Sequence, residues 1–276
     1  MTSAIAPAAI VSRQDVPLLS MRGIVKQFGS DGQTVIAVDG VDLDVLAGET
    51  LAVVGESGSG KSTLARLMTG LQSPTAGDIR FKGQRLDVGS LKWRRQFARQ
   101  VQLVFQSASY ALNPLKTVRS AIEAPLKVAA ISAKERDERV RDLLDTVELR
   151  PGASFLDRYP RQLSGGQRQR VVIARAIALR PEFLVADEPV SSLDVSVRNQ
   201  ILNLLLDLKD QYRFSMVLIT HDLGVARGMA NRIAVMKAGK ILELGPTEQL
   251  FDRPVHPYTR SLLEAVPMIG GRFQPH

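Results

Sequence analysis

Residues 55 to 62 read Gly55-Glu56-Ser57-Gly58-Ser59-Gly60-Lys61-Ser62, with Thr63 next. Glycines at three of these positions let the backbone curl so that successive N–H groups converge where a polyphosphate could sit. A lysine directly after the last glycine can reach β- and γ-phosphates, and the following hydroxyl can ligate Mg²⁺. The spacing G-x-x-x-x-G-K-[ST] carries this meaning only between a strand and a helix. Both are expected here: Thr50–Val54 is short, apolar and β-rich, and Ser62–Leu71 opens a helix whose N-terminus favours anions. A chance glycine turn would not bring every fixed position and this context together. Gly55, Ser57, Gly58, Gly60, Lys61, Ser62 and Thr63 are therefore expected to bind a nucleoside triphosphate with Mg²⁺.

Two further stretches could do chemistry beside it. Phe183-Leu-Val-Ala-Asp187-Glu188 is a buried-strand pattern ending in two acids. Asp187 at the strand end would lie near a Mg²⁺ ion, and Glu188 could polarise an attacking water as a general base. Alone, adjacent acids could be a polar strand cap; next to a phosphate loop the chemical reading is preferred. Leu163-Ser164-Gly165-Gly166-Gln167 precedes the helical run Arg168–Leu179 and reads as a second anion trap, with glycines opening the backbone at a helix N-terminus.

The elements that must position these residues alternate along the chain. Leu18–Phe28 and Val35–Leu46 read as strands joined by a turn at Ser30–Gln33. Asp78–Phe81, Val101–Phe105, Met216–Thr220 and Arg232–Met236 are further short strands, with helices expected over Val195–Asp210 and Leu223–Met229. From Val118 to Glu148 the chain is helix-forming and charged, with a break expected at Pro125 and a capping box at Ser132/Glu135. Strands and helices alternating around a phosphate loop imply an α/β fold with a parallel-sheet core. The organisation expected is a loose N-terminal arm over 1–17, a nucleotide-binding domain over 18–250 with a helical insert at about 107–164, and a C-terminal extension over 251–276.

Composition narrows this. The chain has 276 residues, 45% hydrophobic and 23% charged, enough for a substantial core. Without cysteine it has no disulfide, thiolate metal site or cysteine nucleophile. No apolar run approaches the roughly 20 residues needed to cross a bilayer, and Met1–Pro17 lacks the regions of a signal peptide, so a soluble protein is expected. The net charge of +8 suits either nucleic acid or an anionic membrane surface, but for any single basic cluster a solvated face is the preferred reading, and charge alone does not decide.

Taken together, Gly55–Ser62, Gln106, Leu163–Gln167, Phe183–Glu188, Ser191-Ser192-Leu193-Asp194 and His221 resemble, in order, the ATP-binding subunit of ABC transporters. The resemblance covers about residues 18 to 268. It implies a P-loop NTPase fold: a RecA-like parallel-sheet subdomain, an antiparallel β subdomain and an α-helical insert. Phe28 would stack on adenine. Gln106 would sense Mg²⁺ and the attacking water, so that Ser62, Gln106 and Asp187 form the metal surroundings and Glu188, His221 and Gln106 the catalytic set. Ser164, Gly165, Gly166, Gln167 and Asp194 would meet ATP held by a partner subunit, in a head-to-tail dimer that closes on ATP and opens on hydrolysis.

Within that family, Val104-Phe-Gln106, Leu112-Asn-Pro114, the run Asp187–Val197 and the tail Arg253-Pro-Val-His256-Pro257-Tyr258-Thr259 resemble the oligopeptide/dipeptide/nickel importer group. Taken without the resemblance, Thr259 could cap a helix over Arg260–Val266. Ser107-Ala108 stands where the group commonly has Asp-Pro. The resemblance implies an ATP hydrolase energising import of oligopeptides or dipeptides, with nickel or another small solute as the alternative. Its partners would be two transmembrane permease subunits, a second, related ATP-binding subunit and, indirectly, an extracytoplasmic solute-binding protein. It would sit on the cytoplasmic face of the inner membrane. A soluble ABC ATPase acting on nucleic acid or ribosomes is disfavoured because those proteins usually carry two cassettes or a long coiled coil, so no nucleic-acid partner is expected.

Overall fold

In the computed structural model, residues 16–29, 34–87, 89–106 and 111–264 are described. Strands β1 (Leu19–Phe28), β2 (Val35–Val45), β4 (Ala76–Phe81) and β5 (Gln84–Arg85) form an antiparallel sheet in the order β2-β1-β4-β5. A second sheet has the order β10-β9-β3-β8-β7-β6. It comprises β3 (Thr50–Val54), β6 (Val101–Val104), β7 (Phe183–Asp187), β8 (Ser215–Thr220), β9 (Arg232–Lys237) and β10 (Lys240–Pro246). All neighbours in it are parallel except β10, which runs antiparallel to β9.

Strands β3, β7, β8 and β9 of the second sheet are buried on both faces, which explains why they read as continuous apolar runs rather than alternating ones. Leu51 and Val53, Phe183 and Val185, and Val217 and Ile219 face the antiparallel sheet and helix α1 (Lys61–Met68). Leu184, Ala186, Met216 and Leu218 face the opposite core, shared with α5 (Gly165–Ile177) and α6 (Val195–Tyr212). Helices α3 (Val118–Val128) and α4 (Ala133–Thr146) pack on the same core, which extends the sheet's interior into a helical block.

Three local expectations are corrected. The helix is continuous through Pro125. Val118, Ile122 and Leu126 recur every fourth residue and are fully or almost fully buried, and burial of that stripe outweighs one missing backbone hydrogen bond. At Ser132 only half of the capping box forms: its hydroxyl accepts from Glu135 N–H at 3.3 Å, while the Glu135 carboxylate pairs with Arg139 at 2.7 Å. Finally, Thr259 is no cap. Helix α9 (Pro257–Glu264) starts two residues earlier, with proline at its first position, and the His256 Nδ1 accepts from Tyr258 N–H at 3.1 Å. Thr259 is wholly buried inside that helix.

Elements without a sequence signal also emerge. The basic stretch Lys92–Arg99 lies in helix α2 (Leu91–Gln100), held by Trp93 stacked on Phe97 at 4.5 Å and by Phe97 edge-on to Phe81 at 5.4 Å. After β10, α8 (Thr247–Asp252) shares a small core with β3, α9 and the expected helix α7 (Leu223–Met229), which precedes β9. No helix among the described residues is long and apolar enough to cross a membrane. Ser107-Ala108 and Ala265–His276 lie outside the described residues, as does most of the N-terminal arm.

Candidate functional site

Strand β3 ends at Val54 and the phosphate loop follows directly. Gly60 has φ 105°, and a Cβ there would lie 2.2 Å from the Ala37 carbonyl, so only glycine fits both the conformation and the space. Lys61 turns back over the loop: Nζ donates to the carbonyls of Gly55 and Glu56, each at 2.7 Å. Burial lowers its pKa, and the carboxylates of Glu188, Asp187 and Glu56 oppose that shift. Neutral carbonyls are weaker partners for an ammonium than phosphate oxygens, so a triphosphate can take this lysine from them.

Four strands of one sheet, adjacent in the order β3-β8-β7-β6, deliver the remaining side chains at their C-terminal ends, where open α/β sheets bind ligands. Asp187 closes β7, almost fully buried, and accepts from the Ser62 hydroxyl at 3.2 Å. Burial raises its carboxyl pKa, with the Ser62 hydrogen bond pulling the other way. Gln106, two residues past β6, donates from Nε2 to Glu188 Oε2 at 2.9 Å. His221, one residue past β8, has Nδ1 3.5 Å from Glu188 Oε1. Glu188 itself sits at φ +45°, a conformation non-glycine residues rarely adopt, and its N–H is tied to the Ile219 carbonyl at 2.9 Å. Such strain persists only where the surroundings enforce it; here it turns the carboxylate toward both Gln106 and His221.

Ser57 and Gly58 are exposed on the loop, Gly55 is buried, and Thr63 lies partly buried in the first turn of α1. Phe28 ends β1 with its ring 41% exposed and Lys26 Nζ 5.2 Å from its centroid, leaving a face on which a base could stack. The Ser164–Gln167 stretch is not drawn into this cluster. Ser164 caps α5, accepting from Gln167 N–H at 3.2 Å, while the Gln167 side chain accepts from Ser164 N–H at 3.0 Å. Asp194 caps α6 through Val197 N–H at 3.0 Å, which lowers its pKa.

The glycines of that stretch have a reason other than an opened backbone. Gly165 and Gly166 begin a helix, and a Cβ on Gly166 would lie 2.5 Å from Val197 Cγ1. Gly166→Ala should therefore cost about 1–3 kcal/mol by overpacking, read as a lowered thermal midpoint. Val197→Ala in the same chain should restore most of it; no change on Gly166→Ala alone would disprove the close fit.

The sequence reading missed the loop's outer support. Gly239, in the β9–β10 turn, donates its N–H to the Ser59 carbonyl at 2.9 Å, and the Met236 carbonyl lies where a Cβ on Gly55 would be, 2.1 Å away. The sequence marks Lys237-Ala238-Gly239-Lys240 as a turn, but nothing in it says which loop the turn supports.

A glycine-rich strand–loop–helix, with a hydroxyl facing an acid at the end of another strand of the same sheet, defines a P-loop ATPase. The model of the ABC transporter family matches residues 38–191, and that of the oligopeptide/dipeptide transporter C-terminal region matches residues 242–274. The dipeptide transport ATP-binding protein DppF of Haemophilus influenzae is 46% identical, over 94% of this chain and 80% of its own. The oligopeptide transport ATP-binding protein AppF of Bacillus subtilis is 48% identical, over 86% of this chain and 72% of its own. Among solved structures, the dimeric post-hydrolysis state of the ATP-binding cassette MJ0796 bound to ADP and Pi superposes with a TM-score of 0.74. It is 32% identical, covering 83% of this chain and 98% of that one. The chain belongs to the ATP-binding, ATP-hydrolysing proteins of the ABC transporter family.

Proposed function

We propose that this chain is the ATP-hydrolysing subunit of a membrane importer for oligopeptides or dipeptides, bound at the cytoplasmic face of the inner membrane. The observation carrying the solute class is the C-terminal segment around His256-Pro257-Tyr258-Thr259, which lies within the match to the oligopeptide/dipeptide transporter region. Relatives named for dipeptide and oligopeptide transport support the same reading. Its partners are two membrane-spanning permeases, a second and related ATP-binding subunit and, through the permeases, an extracytoplasmic solute-binding protein.

The residues divide the work. Lys61 and the loop N–H groups of Gly55–Ser62 hold the β- and γ-phosphates, Thr63 lies in the turn behind them, and Phe28 takes the adenine. Ser62 and Asp187 present two hard oxygens across a 3.2 Å gap between α1 and β7, a donor pair suited to Mg²⁺, with Gln106 nearby. A bound Mg²⁺ would neutralise charge developing on the phosphates. Glu188 accepts the proton of the attacking water, and His221 and Gln106 hold its carboxylate from two sides.

Ser164, Gly165, Gly166, Gln167 and Asp194 complete the site from a second subunit. Within one chain Ser164 and Gln167 cap each other, so a γ-phosphate presented by the partner would exchange one set of hydrogen bonds for another. Hydrolysis removes that γ-phosphate, the two subunits separate, and phosphate chemistry becomes motion.

Ser164→Arg should leave ATP binding by the single subunit unchanged and abolish ATP-dependent dimerisation, measured by light scattering. A dimer that still forms with ATP would overturn the contact in trans. For the transport role, purification of this chain from gently solubilised native membranes should co-isolate two multi-span permeases and a second ATPase. Ribosomes or DNA-repair proteins in their place would overturn it.

A further inference from the structure

His221 faces Glu188 across 3.5 Å, yet its side chain is 61% exposed, so packing does not hold it. What fixes its place is the backbone on either side. Before it, Thr220 closes β8 and is almost fully buried. After it, Asp222 is tied three ways. Its N–H donates to Thr220 Oγ1 at 3.0 Å, and its Oδ1 accepts from Val225 N–H at 3.1 Å as the cap of α7. Its other oxygen, Oδ2, lies 3.6 Å from Arg198 Nη1. The first two ties are local; the third reaches a different helix. Arg198 stands in the first turn of α6, where its N–H donates to the carbonyl of the cap residue Asp194 at 2.8 Å. Its guanidinium is incompletely used, because Nε is buried and has no hydrogen-bond partner among the described residues.

With side chains 31% and 38% exposed, this ion pair adds little to stability. Its effect is on position, since it joins the residue next to His221 to the start of a separate helix. Hydrogen bonds around a reacting site are often long without substrate and tighten when it is bound. A gap of 3.6 Å needs only a small movement to become a charge-assisted bond. We propose that Arg198 and Asp222 are a positioning pair for ATP hydrolysis: by tethering Asp222 to the start of α6 they hold His221 in register with Glu188. Neither residue touches the reacting atoms; both act through the histidine. The pair also links that histidine to the helix whose cap, Asp194, is assigned to the contact with a partner subunit. The proposal rests on the assignment of His221, beside Glu188, to the hydrolytic site.

The test uses the full chain and three substitutions. Asp222→Asn keeps an oxygen to cap α7 and removes the charge; Arg198→Gln removes the opposite charge; Arg198→Lys keeps it. In Asp222→Asn and in Arg198→Gln, kcat for ATP hydrolysis should fall about five- to twentyfold, within the roughly 10²-fold that a misplaced group can cost. The dissociation constant for ATP and the thermal midpoint should stay unchanged, because Lys61 and the phosphate loop are untouched. Arg198→Lys should recover part of the lost kcat. The double variant Arg198→Gln/Asp222→Asn should be no slower than the slower single variant, since both act on one contact. Unchanged kcat in either charge removal, Arg198→Lys as slow as Arg198→Gln, or losses that multiply in the double variant would each overturn the proposal. A fall in kcat accompanied by a lowered midpoint would overturn it too, by making the pair structural. His221→Ala is run alongside. If it hydrolyses ATP at the normal rate, the assignment of His221 has failed; if it is slow while Asp222→Asn and Arg198→Gln are not, only the positioning pair has failed.

Discussion

Glu188→Gln should bind ATP as tightly as the unaltered chain and hydrolyse it about 10²–10⁴ times more slowly, the contribution of a positioned general base. The substitution keeps the shape of the side chain and the oxygen that accepts from Gln106 Nε2, and it removes the charge that accepts the proton of the attacking water. The strained backbone at φ +45° is unaffected, so the fold should melt at the same temperature. With ATP bound and not turned over, the two subunits should stay together, and gel filtration in ATP should show a persistent dimer. Phosphate release at the normal rate would remove Glu188 from the base role. His221, which faces the opposite carboxylate oxygen at 3.5 Å, would then be the next candidate.

Lys61→Ala should weaken ATP binding at least about 100-fold, since charge-assisted bonds to phosphate oxygens are the strongest contacts the loop can offer. Its partners in this structure are two backbone carbonyls and the Ser59 hydroxyl, all within the loop itself, so the substitution removes no bond between separate elements. A modest change in thermal stability and a large change in affinity are therefore expected together, read by calorimetric titration with ATP and by thermal melting. Normal affinity would mean that Gly55–Ser62 does not seat the triphosphate.

Both predictions rest on residues that were legible from the sequence, for a physical reason. Cradling a polyphosphate depends on a short, contiguous backbone path, so Gly55, Gly60, Lys61 and Ser62 show themselves by local spacing alone. The ends of buried strands show themselves too, because Phe183–Asp187 and Ser215–Thr220 are apolar on both faces and stop abruptly at polar residues. The fold class follows from the same runs. Boundaries were less legible. Pro125 reads as a break in any local scheme, and only the burial of Ile122 and Leu126 against the helical core overrides it.

What the sequence by itself determined is the chemistry present: a phosphate loop, a pair of acids, a histidine after a strand, and a second glycine-bearing helix start. Which of these meet was decided by tertiary structure. Gln106 and Glu188 are 82 residues apart and touch at 2.9 Å, because β6 and β7 lie side by side in a parallel sheet whose order differs from chain order. Gly166 proved to be glycine because Val197 of another helix leaves no room for a side chain. Tyr258, some 200 residues beyond the phosphate loop, enters the core beneath it only once β10 has turned the chain back. Local spacing records what neighbours in sequence can do together, whereas contacts between distant elements depend on sheet order and packing, which no short stretch of chain encodes.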